Sequence, residues 1–174
     1  MEEMLDTYDI NGKLLKPQTR AFCHSGNPGC YHKAVWIWII NDKNEFLVQK
    51  RSHLKRTAPN KWDMPVAGHV DAGETLLQAC ARETKEELGL DVKESDFLFL
   101  TEKLKQKSWE FAEIYLLRTT AKIADFTLQK EEVSKVEYLP YNEFIKLLYS
   151  TDFAPHEKEY KDWVATELKK CIGV

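Results

Sequence analysis

Residues 68–90 read GHVDAGETLLQACARETKEELGL, and the spacing of acid, arginine and glycine within them decides the fold. A loop carrying Gly68 and Gly73 runs into a helix that ends at Gly89. Four acidic side chains follow that loop: Glu74, Glu83, Glu86 and Glu87. The last three stand at i, i+3 and i+4, so they share one helical face. At about 100° per residue, with Glu83 at zero, Glu86 falls near 300° and Glu87 near 40°. Leu77, Ala81, Thr84 and Leu88 fall between about 100° and 160°, which makes a separate apolar stripe. Gln78, Arg82 and Lys85 take the remaining, wetter sector. Crowded carboxylates repel one another unless a cation lies among them. They also sit at the helix end where the dipole disfavours negative charge. Hard oxygen ligands of this kind suit Mg²⁺ or Mn²⁺. A solvated acidic helix is the plain alternative.

The stretch resembles the Nudix hydrolase signature, which it matches at Gly68, Glu74, Arg82, Glu83, Glu86, Glu87, Gly89 and Leu90. The one departure is Thr84, where the family prefers an aliphatic residue. The resemblance implies an α/β fold, a Nudix-type α/β/α sandwich with a mixed β-sheet. It implies a pyrophosphohydrolase acting on acid anhydrides, a metal-dependent enzyme that cleaves a diphosphate bond in a nucleoside diphosphate derivative or a related organic diphosphate. By the same resemblance Glu83, Glu86 and Glu87 ligate Mg²⁺ or Mn²⁺, with the Ala67 backbone carbonyl as an extra ligand. Arg82 then pairs with a neighbouring carboxylate to orient it. The general base is left open among Glu83, Glu86 and a downstream Glu, for which Glu110 is the candidate. The chemistry agrees with this reading. An acidic helix alone repels a diphosphate, whereas bridging cations reverse the local sign, polarise a phosphoryl oxygen and lower the pKa of bound water.

The chain has 174 residues, 43% hydrophobic and 30% charged, with a net charge of −3. That suits a single globular domain over 1–174 and gives no broad basic field for nucleic acid. The longest apolar run, Ala34 to Ile40, is strand-sized, so no membrane span is expected. The opening MEEMLD lacks a signal-peptide pattern. Cys23, Cys30, Cys80 and Cys171 show no disulfide-framework spacing, and a cytoplasmic setting is expected. A hairpin over about 5–20 turns at Asn11-Gly12, and a loop covers 23–29. Strands are expected at 35–40 and 45–51, with a turn at 41–44, and a polar, basic loop leads from Ser52 to the signature. Further strands are expected at 97–101, 109–120 and 136–139. C-terminal helices fall within about 141–170, as 141–149 and 155–170. Their aromatic surface leaves a homodimer open.

Outside the signature, the hairpin start, Gln49-Lys50-Arg51-Ser52, Lys55, Lys61-Trp62-Asp63 and Gly68-His69 look like the Nudix branch close to type I isopentenyl diphosphate isomerases. That likeness implies a second ligand set of His24, His32 and His69. Glu110 matches one of the isomerases' two glutamates, and Ser108 stands in place of the other. Three imidazoles and a carboxylate suit Zn²⁺ or Mn²⁺. The other reading makes His32 and His69 polar contacts around a substrate pocket and His24 a loop residue. It is preferred here, because sequence spacing does not reveal convergence.

The likeness also raises an isomerase as the rival activity. The isomerases carry a catalytic Cys before the signature Gly. This chain has Ala67 there, which has no proton to move, and Cys80 reads as core. A non-catalytic nucleotide-binding module is the third reading. For the small-molecule diphosphate, Arg51 and Lys55 match the isomerase branch's diphosphate contacts, with a solvated basic loop as their alternative. Trp62 stacks on a base or packs on the core, and Trp36, Trp38 and Phe111 are core or pocket wall. Glu110 and Ala112 share one strand face and Phe111 and Glu113 the other, so Glu113 points away if Glu110 faces a metal.

Overall fold

The run Tyr31–Asn41 is buried almost throughout. Aromatic and β-branched residues at that density make a strand covered on both faces. The computed structural model describes residues 2–26 and 28–173. Asn27, in the loop expected at 23–29, lies outside the described residues, as do Met1 and Val174 of the expected 1–174 domain. In chain order the elements are β1 (Met4–Leu5), β2 (Thr7–Tyr8), β3 (Gln18–Thr19), α1 (Arg20–Cys23), β4 (Tyr31–Asn41), β5 (Phe46–Arg51), β6 (Trp62–Asp63), β7 (Val66–His69) and α2 (Leu76–Leu88). After them come β8 (Phe97–Lys105), β9 (Glu110–Thr119), β10 (Val133–Leu139), α3 (Tyr141–Leu148) and α4 (Lys158–Cys171).

The chain packs as two compact units. The first takes the chain up to Ile37, with Val66–Lys85 and Asp91–Leu117. The second takes Trp38–Pro65, Glu86–Leu90 and the chain from Arg118 onward.

In the first unit the hairpin closes around Asn11-Gly12. The Asp9 carboxylate accepts from the Asn11 and Lys13 amides, Tyr8 bridges Leu14, and β1 pairs with β3. β2 and β7 both run antiparallel to β4, which sets Val35 opposite Gly68 and Trp36 opposite Ala67. β8 and β9 pair from Phe97–Leu117 to Lys105–Glu110. Helix α2 begins on a reciprocal cap, in which the Gln78 amide donates to Thr75 Oγ1 and the Thr75 amide to Gln78 Oε1. Thr84 is fully buried and donates its hydroxyl to the Cys80 carbonyl at 2.7 Å. The polar atom at this aliphatic position is therefore satisfied inside the helix.

In the second unit β5 pairs with β10 on one side, Lys50 opposite Lys135, and with β6 on the other, Lys50 opposite Trp62 and Gln49 opposite Asp63. Phe144 of α3 stacks on Phe46 with ring centroids 4.9 Å apart and meets Trp38 edge-on at 5.4 Å. All three rings are out of solvent. Each such side chain contributes about 1.5–3 kcal/mol by burial, and this anchors α3. Helix α4 buries Tyr160, Val164 and Leu168, the one-face spacing of an amphipathic helix.

Eight strands make one mixed sheet in the order β10-β5-β4-β9-β8, with β2 and β7 also on β4 and β6 on β5. The expected α/β class holds, and several boundaries move. β6 interrupts the expected loop after Ser52, and β7 takes in Gly68, which was expected in a loop. A two-residue strand is too short for hydrophobic alternation to register. α1 closes the hairpin region with Thr19 as its N-cap. β4 starts at Tyr31, β8 reaches Lys105 and β10 starts at Val133, because polar residues at those ends dilute the apolar pattern. α4 starts after Pro155, at Lys158. Among the described residues no helix is long and apolar enough to cross a membrane.

Candidate active site

Gly68 has no side chain where Glu83 needs the space. A Cβ at Gly68 would lie 1.9 Å from Glu83 Cδ. Arg82 holds Glu83 in that seat, its Nη1 donating to Glu83 Oε1 at 2.7 Å. The same guanidinium grips Glu74 as a fork, Nε at 2.9 Å and Nη2 at 2.8 Å, and reaches the His69 carbonyl at 2.9 Å. The Asp71 amide donates to Glu74 from behind. Hydrogen bonding to Glu74, with the charge of Glu83, raises the Arg82 pKa further above its ordinary value. Planar, bidentate contacts of this kind fix orientation as well as supplying energy.

Glu86 is exposed and Glu87 buried. Glu87 Oε2 accepts from Gln49 Nε2 at 3.3 Å. Gln49 Oε1 is itself buried without a hydrogen-bond partner, an arrangement that costs about 1–3 kcal/mol unless water or a ligand satisfies it. The last carbonyls of α2 are capped from outside the helix, by the Thr127 amide on Leu88 at 2.9 Å and the Gln129 amide on Glu87 at 3.1 Å. Gly89 follows with φ +73°. Along the helix Glu83 is thus clamped, Glu86 exposed and Glu87 buried.

In the first unit the three imidazoles converge. One ligand nitrogen from each of His24, His32 and His69 lies within 4.8 Å of the other two, and His24 Nε2 is 3.0 Å from His69 Nε2. β4 supplies His32, β7 supplies His69, and His24 directly follows α1. His32 is wholly buried and neither of its ring nitrogens has a hydrogen-bond partner. Glu110 Oε1 lies 3.6 Å from His32 Nε2, and its other oxygen accepts from the Ser108 hydroxyl. Burial pushes the Glu110 pKa up, but the His32 imidazole, the Ser108 hydroxyl and His69 bring it net below its ordinary value. Burial first, then the neighbouring imidazoles, lowers the His24 pKa, which favours the neutral ring that a metal ligand must present. Glu3 lies 3.5 Å from His69 Nδ1 and pairs with Arg20. Contact with His69, aided by Arg20, holds the Glu3 carboxyl at about 2 against its burial.

The preferred sequence reading makes His24 a loop residue, and it stands in the turn after α1, beside the other two imidazoles. Its ring centroid lies 4.9 Å from that of His32 and 5.0 Å from that of His69. Trp109, just before Glu110, has φ 58°, a left-handed backbone that costs a bulky residue about 1–3 kcal/mol. Its carbonyl accepts from the His32 amide at 3.0 Å, so the strained turn fixes where Glu110 enters β9. Glu113 binds Lys33 and the Tyr115 hydroxyl instead, on the opposite side of the alternation from Glu110.

In the second unit Arg51 donates from Nη1 to Asp63 at 3.2 Å and from Nε and Nη2 to the Thr57 carbonyl at 3.2 and 2.9 Å. Lys55 is ion-paired with Glu132. Trp62 lies in a cross-strand row with Lys50 and Lys135, each ammonium 5.8 Å from the indole centroid. Trp36, Trp38 and Phe111 are buried, as is Cys80. Sequence reasoning did not single out Gln49, Glu3 or His156. Only Gln49 stands in a stretch that resembles the isomerase branch, and the others have no local signal.

The family model for the NUDIX domain matches residues 31–164. Nudix hydrolase 3 of Arabidopsis thaliana is 40% identical over 142 residues, 74% of this chain but 18% of that protein's length. An uncharacterized Nudix hydrolase of Clostridium acetobutylicum is 34% identical over 156 residues, 84% of this chain and 74% of the relative. An isopentenyl-diphosphate delta-isomerase of Gibberella zeae is 29% identical over 163 residues, 80% of this chain and 64% of that one. A crystal structure from Deinococcus radiodurans superposes with a TM-score of 0.74 over 97% of this chain and 99% of its own, at 21% identity, a likeness of fold.

Proposed function

The chain belongs to the Nudix family, its domain that of a pyrophosphohydrolase, and from that premise we propose that it hydrolyses a diphosphate bond in a nucleoside diphosphate derivative or a related organic diphosphate. The observation that carries this reading is Glu83, seated over Gly68 and clamped by Arg82, on the same helix as Glu86 and Glu87. Hard carboxylate oxygens fit Mg²⁺ or Mn²⁺, and the Ala67 carbonyl is the further ligand. Bound, either ion supplies a Lewis acid for a phosphoryl oxygen and a water of lowered pKa.

The chain's own residues do the rest. Arg82 keeps Glu83 in one orientation, so little reorganisation is needed when the site fills. Arg51 and Lys55 hold the diphosphate oxygens, Lys55 exchanging Glu132 for substrate, and Trp62 offers its face to a planar leaving group. Glu83 or Glu86 takes the proton of the attacking water. Glu110, engaged with Ser108 and beside His32, belongs instead to the second ligand set with His24, His32 and His69. The unpartnered, buried nitrogens of His32 fit a metal there, Zn²⁺ or Mn²⁺. The reading extends to one domain over 1–174 and to a cytoplasmic setting, which suits four unbridged cysteines. A homodimer is left to sedimentation analysis.

A panel of diphosphates assayed with Mg²⁺ and with Mn²⁺ tests the reaction through release of phosphate or nucleotide. Glu87→Gln lowers kcat by about 100-fold or more and leaves the fold intact by circular dichroism. Full Mg²⁺-dependent activity in that variant contradicts the ligand assignment. The imidazole cluster favours a second reading, an isomerase of isopentenyl diphosphate, against which Ala67 stands. Formation of dimethylallyl diphosphate would establish it. Binding without any turnover would point to the non-catalytic module.

A further inference from the structure

Asp63 is a carboxylate buried to 6% exposure, at the end of β6 and across the strand pair from Gln49. Ionised, it only accepts hydrogen bonds, and it has three donors. The Met64 amide and His156 Nε2 reach Oδ1 at 2.9 and 2.8 Å, and Arg51 Nη1 reaches Oδ2 at 3.2 Å. An acceptor-only partner fixes the tautomer of His156, whose proton must sit on Nε2. His156 is itself held just ahead of α4, its amide on the Ala154 carbonyl and its ring 5.2 Å from Tyr160. The Ala154 and Trp62 backbones are bonded in turn. Asp63 thus sits between a histidine fixed by the C-terminal segment and a guanidinium at the end of β5.

The other donors of Arg51 are also committed. Nε and Nη2 both reach the Thr57 carbonyl, in a loop where Ala58 and Asn60 carry φ 47° and 59°. A guanidinium has five N–H donors, so these contacts leave two for a ligand and hold them in one direction.

We propose that Asp63 and His156 are positioning residues that aim the remaining Arg51 donors at the diphosphate. This rests on the reading of Arg51 as a diphosphate contact. A simpler account makes the opposite prediction. If Asp63 merely offsets the Arg51 charge, removing its charge strengthens anion binding. If it positions Arg51, Asp63→Asn turns an amide NH₂ toward the guanidinium, displaces it and weakens binding.

The test is the Kd of the full-length chain for magnesium pyrophosphate by calorimetry, with thermal midpoints recorded alongside. Asp63→Asn and His156→Ala each weaken binding about tenfold, a change of about 1.4 kcal/mol. His156→Gln, which can present a donor in the Nε2 position, restores affinity to within about threefold of wild type. Asp63→Asn adds no further loss in an Arg51→Ala background, because the two act through one group. If Arg51→Ala binds as tightly as wild type, or wild type does not bind, the Arg51 reading falls and the proposal with it. If Arg51→Ala weakens binding while Asp63→Asn or His156→Ala leaves it unchanged or tighter, Arg51 stands and the positioning role is overturned. Should Asp63→Asn fail to fold, the His156 pair decides alone. Loss in His156→Ala without rescue by Gln overturns the proposal.

Discussion

At the level of single residues, Gly68 separates stability from activity. Its missing side chain is the space the Glu83 carboxylate occupies. The atoms that a new Cβ would strike are the far end of a flexible side chain, so Glu83 swings aside while the backbone of β7 stays in place. Gly68→Ala also reduces the entropy of the unfolded chain, which offsets part of the strain. Stability in urea therefore changes by about 1 kcal/mol or less, while kcat/KM falls by about 100-fold as the clamped Glu83 carboxylate is displaced. A variant that is unfolded, or one as active as wild type, would refute this account of the signature glycine. Glu83, Glu86 and Glu87 were legible as one face because helix geometry alone sets i, i+3 and i+4 side by side, while Gly68, Glu74 and Arg82 were named from the resemblance. Glu3, Asp63 and His156 were not legible as partners, because Glu3 meets His69 and Asp63 meets His156 through segments that fold together from distant parts of the chain. His24, His32 and His69 could be named from a resemblance, yet their approach to within 4.8 Å is a property of β4, β7 and the chain after α1, not of any spacing.

At the level of elements, α2 is specified at both ends. Thr75 and Gln78 cap its start reciprocally, as a capping box. At its end Gly89 takes φ +73°, and a Cβ there would meet Thr127 Cβ at 2.7 Å, its carbonyl oxygen at 2.9 Å and its nitrogen at 3.0 Å. Two of those atoms are backbone, and the nitrogen donates to the Leu88 carbonyl, so they do not yield as Glu83 does. Thr75→Ala accordingly costs about 1 kcal/mol. Gly89→Ala costs about 2 kcal/mol or more, from the left-handed backbone and the clash together. Urea midpoints rank the variants. If Gly89→Ala proves no less stable than Thr75→Ala, the packing of residues 127–129 on the helix end is not what stops it. The contrast between two signature glycines, one facing the Glu83 carboxylate and one facing the Thr127 backbone, does not follow from their identical chemistry. It depends on what lies opposite each, and the strand that places Gly68 is too short to read from alternation.

For the whole molecule the tyrosines give a reading that does not depend on metal. The chain has seven, and in Tyr8, Tyr115, Tyr138 and Tyr160 burial, the largest cause in each, raises the pKa above 10.0. Tyr138 is pushed up to about 12, with Asp42, Glu45 and Asp125 adding to the effect of burial. Its hydroxyl donates to the Ala121 carbonyl at 3.0 Å. Below about pH 10 these phenols are neutral whether the chain is folded or not, so they give stability no pH dependence. As pH rises past 10 the unfolded chain releases protons that the folded chain retains, and stability falls through the window from about 10 to about 12. The urea midpoint should begin to decline past about pH 9, where burial keeps the Cys23 and Cys80 thiols protonated in the folded chain only, and fall further beyond pH 10, where tyrosinate absorbance of the folded chain lags that of the unfolded chain. Tyr138→Phe loses about 1 kcal/mol at neutral pH with its hydrogen bond. It also loses less on going from pH 10 to 12, because one retained proton has been removed. Folded and unfolded chains that titrate together near pH 10 would show that these side chains are not enclosed as the structure has them.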